Sequence, residues 1–294
     1  MKAGTAALAG WTNVGKSSLL NRLIGEKVAA VADASQTTRW PIRGVITLAG
    51  TAQVAFVDTP GLHAPKHRMN RAMVRGASRA IREVDVVVLV VDGHRGLGDG
   101  DRAAAAQLAE VGVERIAAVN KIDVVHPKTV LLPMLATLVD DWGFAEAVPV
   151  SALTGEGCDR LLERIVARLP EGDPAYGEDF LTDQSERSLV GEFVREKLLR
   201  ATRDELPHAI AVMVRHWRER EDGLLEVAVE IAVERESQKA IVIGRSGEVL
   251  KRVGTEAREE LERLLGRRLY LELHVVVRRG WRDDERALRE FGLS

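Results

Sequence analysis

The stretch that decides the fold is "ALAGWTNVGKSSLLNRLIG", residues 7–25. A short apolar strand runs into a loop bounded by two glycines, and leucines at helical spacing follow. Glycines let the backbone turn tightly, so that successive N–H groups and the helix N-terminus point at one anion. Lys16 would reach the β- and γ-phosphates, and the Ser17 hydroxyl would bind Mg²⁺. The stretch therefore predicts a polyphosphate-binding loop that comprises Gly10, Trp11, Thr12, Asn13, Val14, Gly15, Lys16, Ser17 and Ser18.

Length and composition bound the class of protein. A chain of 294 residues predicts about two domains. Its 42 Lys and Arg residues against 44 Asp and Glu residues give a net charge of -2, so any affinity for nucleic acid must come from a local basic surface. The single cysteine, Cys158, excludes a disulfide framework and a multi-thiolate metal site. The longest apolar run, 86–91, is too short to span a membrane, so we expect a soluble protein, and the single cysteine points to a reducing, cytoplasmic compartment.

Strand and helix patterns alternate over the first 170 residues. The strand patterns after the opening strand are "VAFVD" (54–58), "VDVVVLVVD" (84–92), "RIAAVNKID" (115–123) and "AVPVSA" (147–152). Fully apolar strands separated by helices predict a mostly parallel sheet that is covered on both faces. The first domain, 1–170, is therefore expected to be α/β.

The alternation of strand and helix patterns ends after Leu169. The segment "PEGDPAYGEDFLTD", 170–183, is rich in proline, glycine and acidic residues without periodicity, which predicts an interdomain linker at 171–184. A helix, two strands, two helices and a last strand are then predicted for a second domain, 185–294. That order, α-β-β-α-α-β, indicates an α+β domain.

Three further motifs define the nucleotide and its base. "VAFVDTPG" places Asp58 where a carboxylate can join the Mg²⁺ shell, and the N–H of Gly61 can contact a γ-phosphate. In "NKID", 120–123, the Asp123 carboxylate can accept hydrogen bonds from N1–H and the 2-amino group of guanine, whereas adenine offers no such pair. "SAL", 151–153, would bring backbone N–H groups near guanine O6. The motifs together predict a guanine nucleotide.

The stretches "GWTNVGKS", "QTTR", "DTPGLH", "NKID" and "SAL" resemble the nucleotide motifs of translation-factor-class GTPases, and within them the bacterial Era family. The resemblance implies hydrolysis of GTP to GDP and phosphate, with Lys16, Thr38 and Gly61 in catalysis and Ser17, Thr38 and Asp58 on Mg²⁺. Thr37 is the other candidate for the threonine on Mg²⁺; if Thr38 takes that role, Thr37 is a switch-loop residue without a metal contact. Beyond the loop, the implied nucleotide contacts are Asp58, Thr59, Pro60, Gly61, Leu62, Asn120, Lys121, Asp123, Ser151, Ala152 and Leu153.

Two departures bear on the chemistry. Leu62 stands where Ras-type GTPases have the glutamine that orients water, so slow turnover raised by a partner or an ion is expected. In some relatives a potassium ion is held by the loop asparagine, here Asn13; a backbone-capping role for Asn13 is equally open. Trp11 and Thr12 replace the usual basic residue and proline, and Trp11 is either a packing residue or a contact for a partner.

The second domain carries a Gly-x-x-Gly loop, Gly244-Arg245-Ser246-Gly247, between two predicted helices. From Lys239 to Arg282 the chain has 11 basic and six acidic side chains, among them Lys251 and Arg252 beside the loop. "SQKAIVIG", the loop and "LYLELHVVVRRGWRDD" resemble a type II KH domain, in which the loop clamps about four nucleotides. The alternative without an RNA-binding role is a helix hairpin whose basic face is simply exposed to solvent.

The resemblance implies a monomeric GTP-dependent switch that binds the 3′ end of 16S ribosomal RNA during maturation of the 30S subunit, and some relatives also contact the inner face of the cell membrane. Two other functions stay open. A P-loop phosphotransferase would act on a small acceptor without a guanine preference, which "NKID" opposes. An RNA-binding module with a vestigial nucleotide site is opposed by intact Lys16, Ser17 and Asp58.

Overall fold

A computed structural model describes residues 1–32, 37–62, 67–202 and 209–293. Gln36 of "QTTR" and His63 of "DTPGLH" lie outside the described residues. Contacts divide the chain into two units. The first comprises 1–29, 38–65 and 73–183, and the second comprises 30–37, 66–72 and 184–294. No helix in the described ranges combines the length and apolarity needed to cross a membrane.

The first unit is built on a six-stranded sheet with the order β2-β3-β1-β4-β5-β6. Only β2 runs antiparallel to its neighbour, so the predicted mostly parallel α/β sheet is confirmed. The strands are β1 (Lys2–Ala9), β2 (Ile42–Leu48), β3 (Ala52–Asp58), β4 (Val86–Asp92), β5 (Glu114–Asn120) and β6 (Ala147–Pro149). The helices are α1 (Lys16–Ile24), α3 (Asp99–Ala109), α4 (Leu132–Ala136) and α5 (Cys158–Arg168), together with α2 (Arg68–Arg82), whose residues 68–72 are assigned by their contacts to the second unit.

Alternate residues of the strands fill two separate cores. Val88 packs into one cluster, with Leu8 and Leu19, and its neighbour Leu89 into the other. Successive side chains of a strand point to opposite faces, so a fully apolar strand such as β4 must be covered on both. The register pairs Leu8 with Asp58 and Asp92 with Asn120, which brings the carboxyl ends of these parallel strands to one edge of the sheet. Ligands of open α/β sheets bind at that edge.

The residues expected to form a linker pack along the first sheet. The backbone N–H of Val45 donates to the Leu181 carbonyl at 2.8 Å, and the Gln53 side chain donates to the Tyr176 carbonyl at 2.8 Å. Gly172 N–H donates to the Met1 carbonyl at 2.9 Å. By its contacts the first unit therefore runs on to Asp183.

The second unit has a three-stranded sheet in the order β7-β8-β9. Its elements are α6 (Glu186–Ala201), β7 (Ala211–Glu219), β8 (Leu225–Val233), α7 (Glu236–Ile243), α8 (Glu248–Leu265), β9 (Leu269–Val277) and α9 (Glu285–Glu290). Phe193, Val229 and Leu261 are in its core. The predicted α-β-β-α-α-β order is present, with α9 added after it. On α8, Val253, Ala257 and Leu261 are buried in this core, while Leu264 is 36% exposed.

Candidate functional site

The loop between β1 and α1 has backbone angles that require its glycines. Gly10 has φ 143°, and a Cβ there would lie 2.3 Å from the Val90 carbonyl oxygen. Gly15 has φ 94°, and a Cβ would lie 2.3 Å from Nδ2 of Asn120. Side chains rarely adopt such angles, and both positions are closed by neighbouring atoms. The loop therefore wraps tightly against β4 and β5, and α1 begins immediately after it at Lys16.

Lys16 lies under this loop. Its Nζ donates to the Trp11 carbonyl at 2.7 Å and to the Gly10 carbonyl at 3.2 Å. Burial lowers the pKa of Lys16 to about 8, although Asp58 and Asp101 oppose the shift. Among the described residues, these two carbonyls are the hydrogen-bond acceptors of the buried ammonium, so a polyanion bound there would stabilise its charge strongly.

Three oxygen-bearing side chains from α1, β3 and the segment before β2 meet beside Lys16. The Ser17 hydroxyl donates to Oδ2 of Asp58 at 2.6 Å, and the Thr38 hydroxyl donates to the same oxygen at 2.9 Å. The two hydroxyl oxygens are 2.8 Å apart. Thr37 does not join them, because its hydroxyl donates to the Ala32 carbonyl at 3.2 Å.

The Asp58 carboxylate has the properties of a metal ligand. Its Oδ1 is buried and accepts no hydrogen bond from the described residues. Burial raises the pKa of Asp58 above its usual value, against the opposing effects of Lys16, Ser17 and Thr38. An unshared carboxylate oxygen beside two hydroxyl oxygens is a hard donor set that fits Mg²⁺.

The segment after Asp58 turns back over the loop. The Thr59 hydroxyl donates to the Leu8 carbonyl at 2.9 Å, and Pro60 is buried next to it. Gly61 approaches the loop so closely that a Cβ would lie 2.7 Å from the methyl carbon of Thr12. The Leu62 side chain is 4% exposed and packs in the core, so only its backbone faces the loop, donating to the Gly10 carbonyl at 3.2 Å.

Asn120 and Lys121 tie the base-binding motifs to the loop. The Asn120 amide donates to the Val14 carbonyl at 2.9 Å and accepts from the Ala152 N–H at 3.0 Å. Lys121, in a left-handed conformation with φ 66°, donates to the Asn13 carbonyl at 2.8 Å. Asn13 is itself left-handed, with φ 61°. These contacts hold three separated motifs as one surface.

Asp123 is oriented by the neighbouring loop. The Ser151 hydroxyl donates to its Oδ1 at 2.6 Å, and the Thr154 N–H donates to Ser151 in turn. Ala152 is nearly buried, while Leu153 is 75% exposed. The hydrogen bond from Ser151 orients the carboxylate through one oxygen, so its second oxygen can accept from another donor.

Two residues that sequence reasoning missed brace this region. Arg22 of α1 donates to the carbonyls of Ala152, at 3.0 Å, and Leu153, at 2.5 Å. Asp92 accepts a hydrogen bond from Lys121 at 2.7 Å. Burial raises the pKa of Asp92, but its hydrogen bonds outweigh that effect and bring the pKa below its usual value. The donors are the Lys121 ammonium and the N–H groups of Arg95 and His94. The position of Asp92 at the end of β4 was a signal that could have identified it; Arg22 had none.

Trp11 is a packing residue at the loop. Its ring is half-buried against the first core and so close to Gly100 of α3 that a Cβ there would lie 2.5 Å from it. Cys158 is buried below the Ser151 carbonyl, and burial raises the pKa of its thiol to about 11. A thiol so far from ionisation is not a nucleophile at neutral pH.

In the second unit, the Gly-x-x-Gly loop joins α7 to α8. Gly244 (φ 77°) is closed in, since a Cβ would lie 2.4 Å from the Val249 side chain. Gly247 (φ 80°) is open, because a Cβ would meet nothing within 4 Å. Arg245 and Ser246 are exposed at the tip. The loop therefore presents its backbone and one arginine to solvent.

A groove of about 570 Å³ adjoins this loop, between α8 and β9. One wall includes Gly247 of the loop with Lys251 and Arg258 of α8, and the β9 wall includes the half-exposed Tyr270. Arg252 is exposed on α8 and Lys239 is half-buried on α7, but neither lines the groove. Sequence reasoning found Lys251 and missed Arg258 and Tyr270, which come together only when β9 packs beside α8.

Known protein families match both the nucleotide-binding region and the region of the Gly-x-x-Gly loop. Residues 5–121 match the family described as 50S ribosome-binding GTPase, and residues 205–282 match the KH domain family. The chain is 44% identical to GTPase Era of Geobacter metallireducens over 294 residues, which cover 100% of this chain and 98% of the relative. It is 43% identical to GTPase Era of Lacticaseibacillus paracasei, covering 99% and 97% of the two chains.

Solved structures of Era superpose on the whole chain. An Aquifex aeolicus Era variant bound to GDP and aluminium fluoride has a TM-score of 0.96 and 38% identity, covering 100% of each chain. Era in complex with MgGDPNP and nucleotides 1506–1542 of 16S ribosomal RNA has the same TM-score and identity, covering 100% of this chain and 99% of that one. With its phosphate loop, guanine-binding motifs and KH domain, the chain belongs to the Era family of GTPases.

Proposed function

We propose that this GTPase is a switch that binds the 3′ end of 16S ribosomal RNA and acts in 30S subunit assembly and rRNA maturation. The observation that carries the RNA assignment is the open Gly247 backbone at the end of a groove with Lys251 and Arg258 on its wall. An open glycine loop with adjacent cations suits a sugar-phosphate backbone. The Era structure that contains a 16S ribosomal RNA segment and MgGDPNP supports the same partner and ligands.

In the nucleotide site, Mg²⁺ would be held by Ser17, Thr38 and Asp58, whose oxygens lie within 2.9 Å of one another. When bound, the ion would offset the negative charge of the β- and γ-phosphates. Lys16 would exchange its two carbonyl partners for phosphate oxygens, and the Gly61 N–H would donate to the γ-phosphate. Asp123 would accept from the guanine edge.

Hydrolysis is proposed to be slow without an activator. The Leu62 side chain is packed in the core and has no polar atom, so it cannot orient the attacking water. Asn13 is exposed at the loop and is proposed to hold an activating K⁺. Replacing Na⁺ by K⁺ should then raise single-turnover hydrolysis, and Asn13→Ala should flatten the difference with little loss of GDP affinity. Equal rates of the native protein in both salts would contradict the K⁺ site.

In the RNA site, the loop would hold the phosphate backbone and the groove would take bases. Tyr270 is 50% exposed on β9 and offers a ring on which a base can stack. Cytoplasmic action as a monomer, and peripheral contact with the inner membrane face, follow from the family resemblance and stay predictions.

The experiment that tests the RNA assignment compares two glycines of matched geometry. Gly247 and Gly223 have φ 80° and 77°, and a Cβ at either meets nothing within 4 Å. Gly247→Asp should abolish binding of a labelled 16S 3′-end oligonucleotide, measured by fluorescence anisotropy, while Gly223→Asp should bind as the native protein does. GTP, GDP and ATP affinities should be unchanged in both, with ATP the weakest. Equal RNA binding by the two folded variants would refute the clamp.

A further inference from the structure

Five arginines form a continuous stripe along α2. Arg68, Arg71, Arg75, Arg79 and Arg82 are spaced three, four, four and three residues apart, so they share one helix face. All five are exposed. At a rise of 1.5 Å per residue the stripe is about 21 Å long. We call these residues the α2 arginine stripe.

The charge of this stripe is largely uncompensated. The helix contains no acidic residue. Arg79 pairs with the exposed Glu83 at 3.1 Å, and the other four guanidinium groups form no ion pair with any residue in the described ranges. Like charges three and four residues apart destabilise a helix, so the α2 arginine stripe lowers the stability of α2. A role in folding therefore does not explain the stripe.

Helix α5 of the first unit shows the opposite arrangement. Arg160, Arg164 and Arg168 share a face of α5, and each has an acidic neighbour: Glu146 lies within 4 Å of all three, and Glu114 also reaches Arg168. Among the described residues, the arginines of α5 are thus largely compensated by Glu146 and Glu114, whereas those of the α2 arginine stripe are not. The uncompensated stripe is available to an external polyanion.

The chemistry of the stripe favours RNA over a lipid surface. A helix that lies in a membrane interface inserts an apolar face, but the opposite face of α2 is already buried in the protein through Met73, Ala77 and Ile81. The stripe contains arginine only, whose planar fork binds phosphate with two hydrogen bonds. Its length spans several phosphates of an extended strand or stem.

We propose that the α2 arginine stripe is a second RNA-binding surface, which holds the phosphate backbone of a ribosomal RNA segment away from the 3′ end. This proposal rests on the proposed function, because it assumes the same RNA. A KH loop holds only about four nucleotides, so a longer RNA leaves phosphates that need other cations. The stripe would contribute affinity and salt dependence without reading sequence.

The test uses two RNAs and three variants of the full chain. The long RNA spans nucleotides 1506–1542 of 16S ribosomal RNA, the segment present in the Era complex. The short RNA is its last ~10 nucleotides, which suffices for a KH loop. The variants are Arg71→Gln/Arg75→Gln/Arg82→Gln on α2, Arg160→Gln/Arg164→Gln/Arg168→Gln on α5 as a control of equal charge, and Gly247→Asp.

Binding is measured by fluorescence anisotropy across a KCl series. The α2 variant should lower the salt slope for the long RNA by about two, at about 0.7 for each of three phosphates. That corresponds to about 100-fold weaker binding at 0.1 M salt, extrapolating from 1 M. It should bind the short RNA as the native protein does, and the α5 variant should bind both normally. Native GDP affinity in each variant shows that it is folded.

Three results would overturn the proposal: unchanged binding of the long RNA by the α2 variant, an equal loss for both RNAs, or an equal loss in the α5 variant. A lipid role is tested by sedimentation with vesicles of phosphatidylglycerol and phosphatidylcholine. Vesicle binding lost by the α2 variant while long-RNA binding is kept would assign the stripe to a membrane and also overturn the proposal. If the native protein binds neither RNA, the proposed function itself fails.

Discussion

The nucleotide site and the Gly-x-x-Gly loop differ in how their polar groups are held. In the nucleotide site, Asn120 bonds both Val14 and Ala152, and Asp58 accepts from Ser17 and Thr38. At the Gly-x-x-Gly loop, the polar side chains of the tip are exposed, and a Cβ added at Gly247 would meet no atom within 4 Å. A site held by internal hydrogen bonds can reject a wrong base, whereas an open cationic loop binds a backbone of any sequence.

The sharpest test of the fixed site is its base. Asp123→Asn keeps an oxygen that can accept from Ser151, but it replaces the other carboxylate oxygen by an N–H₂ donor. We expect the preference for GTP over XTP to reverse, with a change in the affinity ratio on the order of 10⁴, because a buried polar edge is left unpaired by the wrong base. Competition binding with labelled GDP measures the ratio. A variant that still prefers GTP would show that Asp123 does not face the base.

Alanine in place of glycine contrasts the two sites directly. Gly15→Ala brings a Cβ to 2.3 Å from the Asn120 amide, while Gly247→Ala meets no atom. We expect Gly15→Ala to weaken GDP binding by a factor of 100 or more, on the order of the 3 kcal/mol that a displaced buried polar contact costs. Gly247→Ala should weaken RNA binding only a few-fold, from backbone strain near 1 kcal/mol. Calorimetric titration gives both, and similar losses would remove the distinction.

The buried charge of the fixed site predicts a pH dependence of stability. Burial lowers the pKa of Lys16 to about 8 from 10.5. Between these values the unfolded chain binds a proton that the folded chain has released, so the stability of the nucleotide-free protein rises with pH. The slope is about 1.4 kcal/mol per pH unit at most.

The matched control is Lys16→Met, which cannot titrate. The difference in unfolding free energy, native minus Lys16→Met, should rise from pH 8 to 10 in urea titrations without nucleotide. Lys16→Met should also lose GTP affinity while remaining folded. A difference that stays constant with pH would mean that Lys16 is not desolvated.

The smallest effect is expected at the brace on the "SAL" loop. Arg22→Ala removes two hydrogen bonds, to the carbonyls of Ala152 and Leu153, and leaves those exposed or partly buried carbonyls to water. We expect GDP affinity to fall about tenfold, as for one or two charge-assisted hydrogen bonds. RNA binding should not change. Native GDP affinity in Arg22→Ala would show that Asn120 alone holds the loop.

Part of this protein could be predicted from local sequence, because the physics involved is local. Gly10 and Gly15 require left-handed backbone, the apolar strands require a covered sheet, and "NKID" supplies a carboxylate at the end of a strand. The α/β sheet and the order of elements in the KH domain follow from the same periodicity. Residue roles at the site follow from the motifs and stay predictions until they are measured.

Tertiary structure alone decided which distant residues meet. The Arg22 brace and the groove formed by Arg258 and Tyr270 each depend on packing between separate elements. Leu62 and Trp11 are apolar in the sequence, but only the structure shows that Leu62 is buried and that Trp11 packs, half-buried, against the first core. Sequence periodicity specifies the face of an element on which a residue lies, whereas the neighbour across that face depends on how the chain returns to it.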